Sequence, residues 1–303
     1  MDSVDIKDSP FPKSPVIPAL YEGTKTIQFR CHKDIACFNA CCKNIDITLT
    51  PYDALRLKRR LGMTSGEFLL KYTVPFEMGP GDIAGIKMLP KENSNQCQFM
   101  TDEGCSVYED RPTACRYYPV ALVSMRKQNE YTDRDAYAMV REDHCLGHNE
   151  DRTLTIDDYR KEQGLEEYDE LTRGWRQLIL KKKSSGPSVG TPTKRSLQMF
   201  FMASYDLDRF KEFVSSDAFN EVYDLPDELK HKIQTDEIEL MQFGFRLLRQ
   251  VMFNEPSINT RPDALDKRLA RKQERETVMD EIVAKLGPME AIAPDDKYTH
   301  VDK

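Results

Sequence analysis

Past Cys145 there is no cysteine at all: the eight in this 303-residue chain fall at positions 31, 37, 41, 42, 97, 105, 115 and 145. A random scatter would not leave the last 158 residues empty, so the cysteines mark out a unit in the first half. Long apolar runs are also missing. None reaches the roughly 18 residues a bilayer span requires, and the opening MDSVDIKDSPFPKSPVIPALYEG has no hydrophobic signal core. The expectation is a cytoplasmic protein with no membrane partner. There is no excess of positive charge either: a net charge of -7 and a pI near 5.5 argue against a nucleic-acid partner. No glycine-rich cofactor loop follows a strand; the single glycine cluster, Glu77 to Gly85, reads as a turn. No internal repeat is visible.

What is present supports packed cores and a well-solvated surface, with 39% hydrophobic and 31% charged residues. Residues 1–20 carry Pro10, Pro12, Pro15 and Pro18 and read as an extended arm. Residues 21–180 form the cysteine domain with trailing helices. A linker over 181–195 combines a charge run with Gly, Pro and Ser. A helical extension over 196–260 and a charged helix with a polar tail over 261–303 complete the chain. Strands are expected at 26–30, at Ile45 to Leu49, around Ile83 to Leu89, at 117–125 and at 136–141. Thr50-Pro51-Tyr52-Asp53 supplies an N-cap, a first-turn proline and an acid for a helix ending at Gly62. A second short helix begins at Ser65, with Phe68, Leu69 and Leu70 as its apolar content. The fold class is α+β: a small cysteine-rich domain of short strands and helices, followed by a mainly helical C-terminal extension.

Four chemistries suit a dense thiol set. A disulfide framework permits 105 pairings of eight cysteines, but such frameworks belong to small exported domains. Buried unpaired thiols account for one or two cysteines rather than eight. A redox pair would carry a C-x-x-C motif, and none occurs. Metal ligation requires thiolates gathered from short loops, since soft sulfur holds zinc or iron–sulfur clusters. On a helical turn, Cys37 and Cys41 would share a face and Cys42 would point about 100° away. Pro112 can open a short helix presenting Cys115 and stopping before Pro119.

The combined pattern is more specific than its parts. C-x5-C-x3-CC, a Thr-Pro helix start with an Asp, C-x7-C-x-x-Y-x-x-RP-x-x-CR-x-YP and C-x-G follow in order. This resembles the YkgJ-type cysteine-cluster family of zinc- or iron-chelating domains, over about residues 30–148. The residues carrying the likeness beside the eight cysteines are Gly104, Tyr108, Arg111, Pro112, Arg116, Tyr118, Pro119 and Gly147. The C-terminal block looks like an extension carried by a bacterial subset of the family. The resemblance implies metal binding by Cys31, Cys37, Cys41, Cys42, Cys97, Cys105, Cys115 and Cys145, with an iron–sulfur cluster (4Fe–4S) or zinc as cofactor. It does not imply a reaction. The related flagellin lysine-N-methylases suggest an iron–sulfur-dependent methyltransferase as an alternative, and a redox- or metal-responsive module with a protein partner is another. No residue here supports methyl transfer.

Other features have plainer explanations. His32, His144 and His148 flank cysteines, but eight thiols leave little call for imidazole ligands. Arg111 and Arg116 either offset thiolate charge or serve a structural ion pair. The helix–glycine–helix over 50–70, with LRLKRRLG, superficially suggests a DNA reader, although such hairpins more often serve packing. Phe200, Phe201, Phe210, Phe213, Phe243, Phe245 and Phe253 fit helical core packing.

Overall fold

The computed structural model describes residue 16 and residues 19–79, 83–125, 134–184 and 192–286. Nearly all of the expected arm, the middle of the expected linker (185–191), the tip of the glycine cluster (80–82) and the tail from 287 lie outside the described residues.

The chain order begins with β1 (Thr26–Gln28), a 3-10 turn at Ala40–Cys42, β2 (Thr48–Leu49), α1 (Pro51–Leu61), α2 (Ser65–Tyr72), β3 (Thr73–Glu77) and β4 (Ala84–Met88). There follow β5 (Met100–Thr101), β6 (Gly104–Cys105), a 3-10 turn at Tyr108–Asp110, α3 (Thr113–Tyr117), β7 (Val120–Met125) and β8 (Arg134–Met139). A 3-10 turn at Leu146–Asn149 then leads to β9 (Thr153–Thr155), α4 (Ile156–Glu162) and α5 (Leu165–Ser184). Helices α6 (Lys194–Tyr205), α7 (Leu207–Ser215), α8 (Asp217–Asn220), α9 (Asp227–Thr235), α10 (Glu237–Phe253) and α11 (Ala264–Leu286) complete the chain. Short strands and helices therefore share the first half and helices fill the second, an α+β fold.

Two compact units result. One comprises Met1–Val214 and Pro226–Ser257, the other Ser215–Leu225 and Ile258–Lys303. In the smaller unit, Tyr223 pairs with Thr260 and packs its ring against Phe219, and Arg261 donates to the Asn220 carbonyl at 2.8 Å. In the larger one, β1 pairs with β9, β4 lies between β2 and β3, and β7 pairs with β8, all antiparallel. Ile27, Phe29, Tyr117, Tyr137, Ile156 and Tyr159 join these strands to α3 and α4 in one core, against which Cys145 packs. Farther along, α10 lies against α5 and α6, with Phe200, Phe210, Phe243 and Phe245 buried.

Local signals account for most boundaries. In α1 the Thr50 hydroxyl accepts the Asp53 amide, Asp53 accepts the Thr50 amide at 2.8 Å, and Gly62 ends the helix at φ 64°. In α2 a Thr64–Glu67 capping box does the same. There Phe68 is buried as expected but Leu70 is 87% exposed, since two residues along a helix lead to the opposite side. The strand expected from Ile45 shortens to Thr48–Leu49, because the Ile45 amide donates to Asn95 instead of a ladder partner. The strand expected from 117 starts at Val120; Tyr117 still belongs to α3, which must stop ahead of Pro119.

Two buried polar joints hold α1 in place. Asp53 is fully buried, and besides capping α1 its Oδ1 accepts the Thr113 amide at 2.8 Å and hydroxyl at 2.7 Å. One carboxyl thus serves the first turns of both α1 and α3. At the other end of α1, the buried Lys58 ammonium meets Asp208 at 3.2 Å and also Glu237, while Arg59 reaches Glu237 at 2.7 Å. The rest of the basic run is likewise occupied: Arg56 pairs with Asp110 at 2.6 Å, and Arg60 lies 3.9 Å from the same carboxylate. Burial alone would raise the Asp208 and Glu237 carboxyls. Donation by the Ser65 amide and Lys58 to the first, and by Lys58 and Arg59 to the second, leaves both below their ordinary values.

Replacing Asp53 with alanine leaves the Thr50 hydroxyl in place but removes the bond from the Thr50 amide and both bonds from Thr113, and should cost about 2–3 kcal/mol in urea unfolding, at roughly 1 kcal/mol or more for each helix start. Lys58→Met should cost about 1–3 kcal/mol, kept modest by the partial exposure of its partners. Because these carboxyl pKa values are depressed in the fold, their contribution is present above the unfolded-state values and is lost as pH falls through the folded ones. The difference between wild type and Lys58→Met, followed by urea titration from pH 6 downward, should therefore shrink in acid.

Candidate metal centre

Cys31 follows β1 by three residues. Its loop is stitched to the Cys145 loop by the Arg30 amide, which donates to the Gly147 carbonyl at 3.0 Å. Gly147 is required by this approach: a Cβ there would lie 2.6 Å from the Phe29 ring and 2.9 Å from the Arg30 carbonyl. Cys145 itself precedes the 3-10 turn, and the Leu146 amide donates to Cys37 Sγ at 3.3 Å.

The expected helical turn over Cys37 and Cys41 does not form. Asn39 takes a left-handed conformation at φ 63°, so two tight turns follow each other. The Ala40 amide donates to Cys37 and the Cys42 amide to Asn39, at 2.9 and 3.0 Å. Cys37 and Cys41 are consequently not stacked on one helix face. Asn39 also donates its side-chain amide to the Thr101 carbonyl at 3.0 Å, which ties these turns to the β5–β6 hairpin.

On that side, the Cys97 amide donates to the Cys42 carbonyl at 2.8 Å. The Met100 amide donates to the Cys97 carbonyl at 3.1 Å, and the backbone at Phe99, Met100 and Val107 works against the rise that burial gives the Cys97 and Cys105 thiols. Gly104, at φ 118°, makes the turn into Cys105, with Phe38 beside it. Cys115 rides on α3, whose start is fixed by Asp53.

All eight cysteines are free thiols. Their sulfurs feel one another. Cys31 is pushed up to about 11, first by desolvation and then by Cys41, Cys37 and Cys145, with Arg111 opposing. Cys97, Cys105 and Cys115 are raised, each chiefly by burial, with neighbouring thiols adding to the shift. In the adjacent pair, Cys42 donates to Cys41, so Cys41 falls to about 7 while Cys42 rises. The chemical consequence is a set of sulfurs that cannot all ionise without a cation to balance them. Among the described residues, no three Cys, His, Asp or Glu side chains stand close enough together to hold one metal ion. The donor chemistry nevertheless fits a thiolate-bound metal: soft ligands from several loops, with a peptide N–H bonded to the Cys37 sulfur.

The flanking groups sort by geometry. Arg111 is buried, stacks 3.9 Å over Tyr108, donates to Gln163 Oε1 at 2.6 Å, and lowers both Cys31 and Cys105. Arg116 instead clamps the carbonyls of Arg111, Gln163 and Glu109. His32 engages Glu150 at 3.1 Å, His144 approaches Glu142 at 3.5 Å, and His148 meets the Val140 carbonyl at 3.1 Å. Sequence reasoning missed Gln163, which bonds to both arginines, and Glu142, whose charge acts on Cys41. Neither belongs to a cysteine motif, so only the folded chain reveals them.

No curated protein and no solved structure matches the chain. A family match extends beyond the motifs to residue 162, taking in β9 and α4. The family's name spells two-residue spacings, whereas this chain has C-x5-C-x3-CC. Residues 30–162, which contain all eight cysteines, match the family model CxxCxxCC, described as a putative zinc- or iron-chelating domain, and this is the cysteine-cluster family that the sequence motifs resemble.

Proposed function

We propose that this protein binds an iron–sulfur cluster, or in its place zinc, through Cys31, Cys37, Cys41, Cys42, Cys97, Cys105, Cys115 and Cys145. The observation that carries the reading is a peptide N–H bonded to a cysteine sulfur between two of the thiol-bearing loops. Leu146 donates to Cys37 Sγ across 109 positions of sequence, and the backbone at Phe99, Met100 and Val107 works against the rise that burial gives Cys97 and Cys105. Donors of this kind stabilise ligating thiolates and set the electronic properties of the metal they hold. Eight thiols also exceed the four positions of one tetrahedral zinc, which favours iron–sulfur. When bound, the metal supplies positive charge to the thiolates and, in an iron–sulfur cluster, a redox centre. The chain's part is to hold the thiols, donate N–H groups to them and set the Arg111 guanidinium beside them.

Anaerobic purification followed by visible absorption and metal and sulfide analysis tests this reading. The expected product is brown, absorbs broadly near roughly 400 nm and contains iron and acid-labile sulfide. A colourless protein with stoichiometric zinc selects the zinc form. A folded protein that takes up neither metal contradicts the reading.

A further inference from the structure

Three successive residues of α5 reach into the thiol-bearing half of the chain. The Tyr52 hydroxyl of α1 donates to Glu167 Oε1 at 2.7 Å. Tyr168 packs against the Tyr52 ring at 4.9 Å and under the Arg116 guanidinium at 4.4 Å. Asp169 turns toward α3 and α4, and its Oδ2 accepts the Tyr117 hydroxyl at 2.7 Å and Arg160 Nη2 at 2.6 Å. All three lie beyond residue 162, where the family match ends.

Asp169 is the one whose chemistry demands a reason. Its side chain is 4% exposed, and a carboxylate taken out of water is destabilising unless it is paired and hydrogen-bonded. Here the pairing comes from two sides. Arg160 meets Oδ2 from α4. Arg176, farther along α5, folds back on the Asp169 carbonyl at 3.2 Å and the Thr172 hydroxyl at 2.9 Å, and stands 3.6 Å from Oδ1. A buried charge pair of this kind adds little net stability over apolar packing; what it supplies is one fixed register between the elements it joins.

The element most in need of fixing is α3. It has five residues, Thr113–Tyr117, too few to hold a direction alone, and it carries Cys115. Its first residue is bonded to Asp53, through the Thr113 amide and hydroxyl. Its last residue is bonded to Asp169. The thiol sits midway between these two buried carboxylates.

We propose that Asp169 is a positioning residue for the Cys115 thiol, acting through the Tyr117 hydroxyl at the end of α3. This deepens the metal-binding reading above and rests on it, since a ligand thiol must keep one direction from its helix. The thiol-bearing unit then includes α5, although the family match does not.

The test uses the full chain, reduced and freed of metal with chelator. Each cysteine is followed by iodoacetamide alkylation and mass spectrometry, with circular dichroism to confirm folding. Tyr117→Phe removes the hydroxyl alone, and Asp169→Asn keeps the side-chain shape without its charge. In each variant Cys115 should react roughly tenfold faster than in wild type, the order expected for losing one hydrogen bond to a charged group. Cys31 and Cys37, whose loops are bonded to the Cys145 loop instead, should keep their rates. The double variant should be no faster than Asp169→Asn, because both changes break the same link. If Asp169→Asn does not fold, Tyr117→Phe alone decides. An unchanged Cys115 in a folded variant overturns the assignment, as does a parallel rise at all eight cysteines, which marks general loosening. Effects that multiply in the double variant overturn the route through Tyr117. Zinc titration of wild type separates the two readings. A chain that takes up no metal refutes metal binding while the alkylation rates still decide the role of Asp169. A chain that binds metal but leaves Cys115 unchanged in the variants refutes only that role.

Discussion

Crowding of sulfur is the constraint around which the first half of this protein is organised. Eight thiols are delivered by the stretches between β1 and β2, β4 and β7, and β8 and β9, and most of them are at least partly covered. Deprotonating one raises the cost of deprotonating its neighbours, and burial adds to that cost. Two features oppose it. The Leu146 amide donates to Cys37 and nearby backbone lowers Cys97 and Cys105, and the buried Arg111 places a fixed positive charge near Cys31 and Cys105. A bound cation would be the third and largest contribution, which links the electrostatics of the thiol region to its proposed use.

Holding those loops in register requires a rigid frame, and the frame is unusually polar for its burial. Asp53 caps α1 and α3 together, so the helix carrying Cys115 is fixed relative to the strand that follows the cysteine pair. Arg116 gathers three backbone carbonyls, and Gln163 at the end of α4 bonds to it and to Arg111. Tyr168 of α5 lies beneath the Arg116 guanidinium at 4.4 Å and against Tyr52 of α1 at 4.9 Å. The motif residues between Tyr108 and Arg116 consequently serve two purposes. Arg111 influences the sulfurs, whereas Arg116 maintains the backbone that presents them.

Much of this was legible in the sequence wherever the cause was local. The bounds of α1 follow from Thr50, Pro51, Asp53 and Gly62, the short α3 follows from Pro112 and Pro119, and the charged final helix follows from its composition. Relations between distant residues were not legible. Nothing near Thr26 announces its partner Thr155, and nothing near Asp53 announces Thr113. Cys37 and Cys41 illustrate a different failure. A spacing of four suits a helix, but one left-handed Asn39 converts the segment to turns and removes the shared face. Leu70 failed similarly, since composition marked it as apolar content while the helical period placed it in solvent.

The central claim is that cysteine sulfur, and not histidine or carboxylate, surrounds a metal in this protein. X-ray absorption at the metal edge of the natively purified full chain tests it most directly. The account predicts a first shell made up of sulfur, at about 2.3 Å if the metal is zinc. A first shell dominated by nitrogen or oxygen near roughly 2.0–2.1 Å, with the cysteines still open to alkylation, would contradict it.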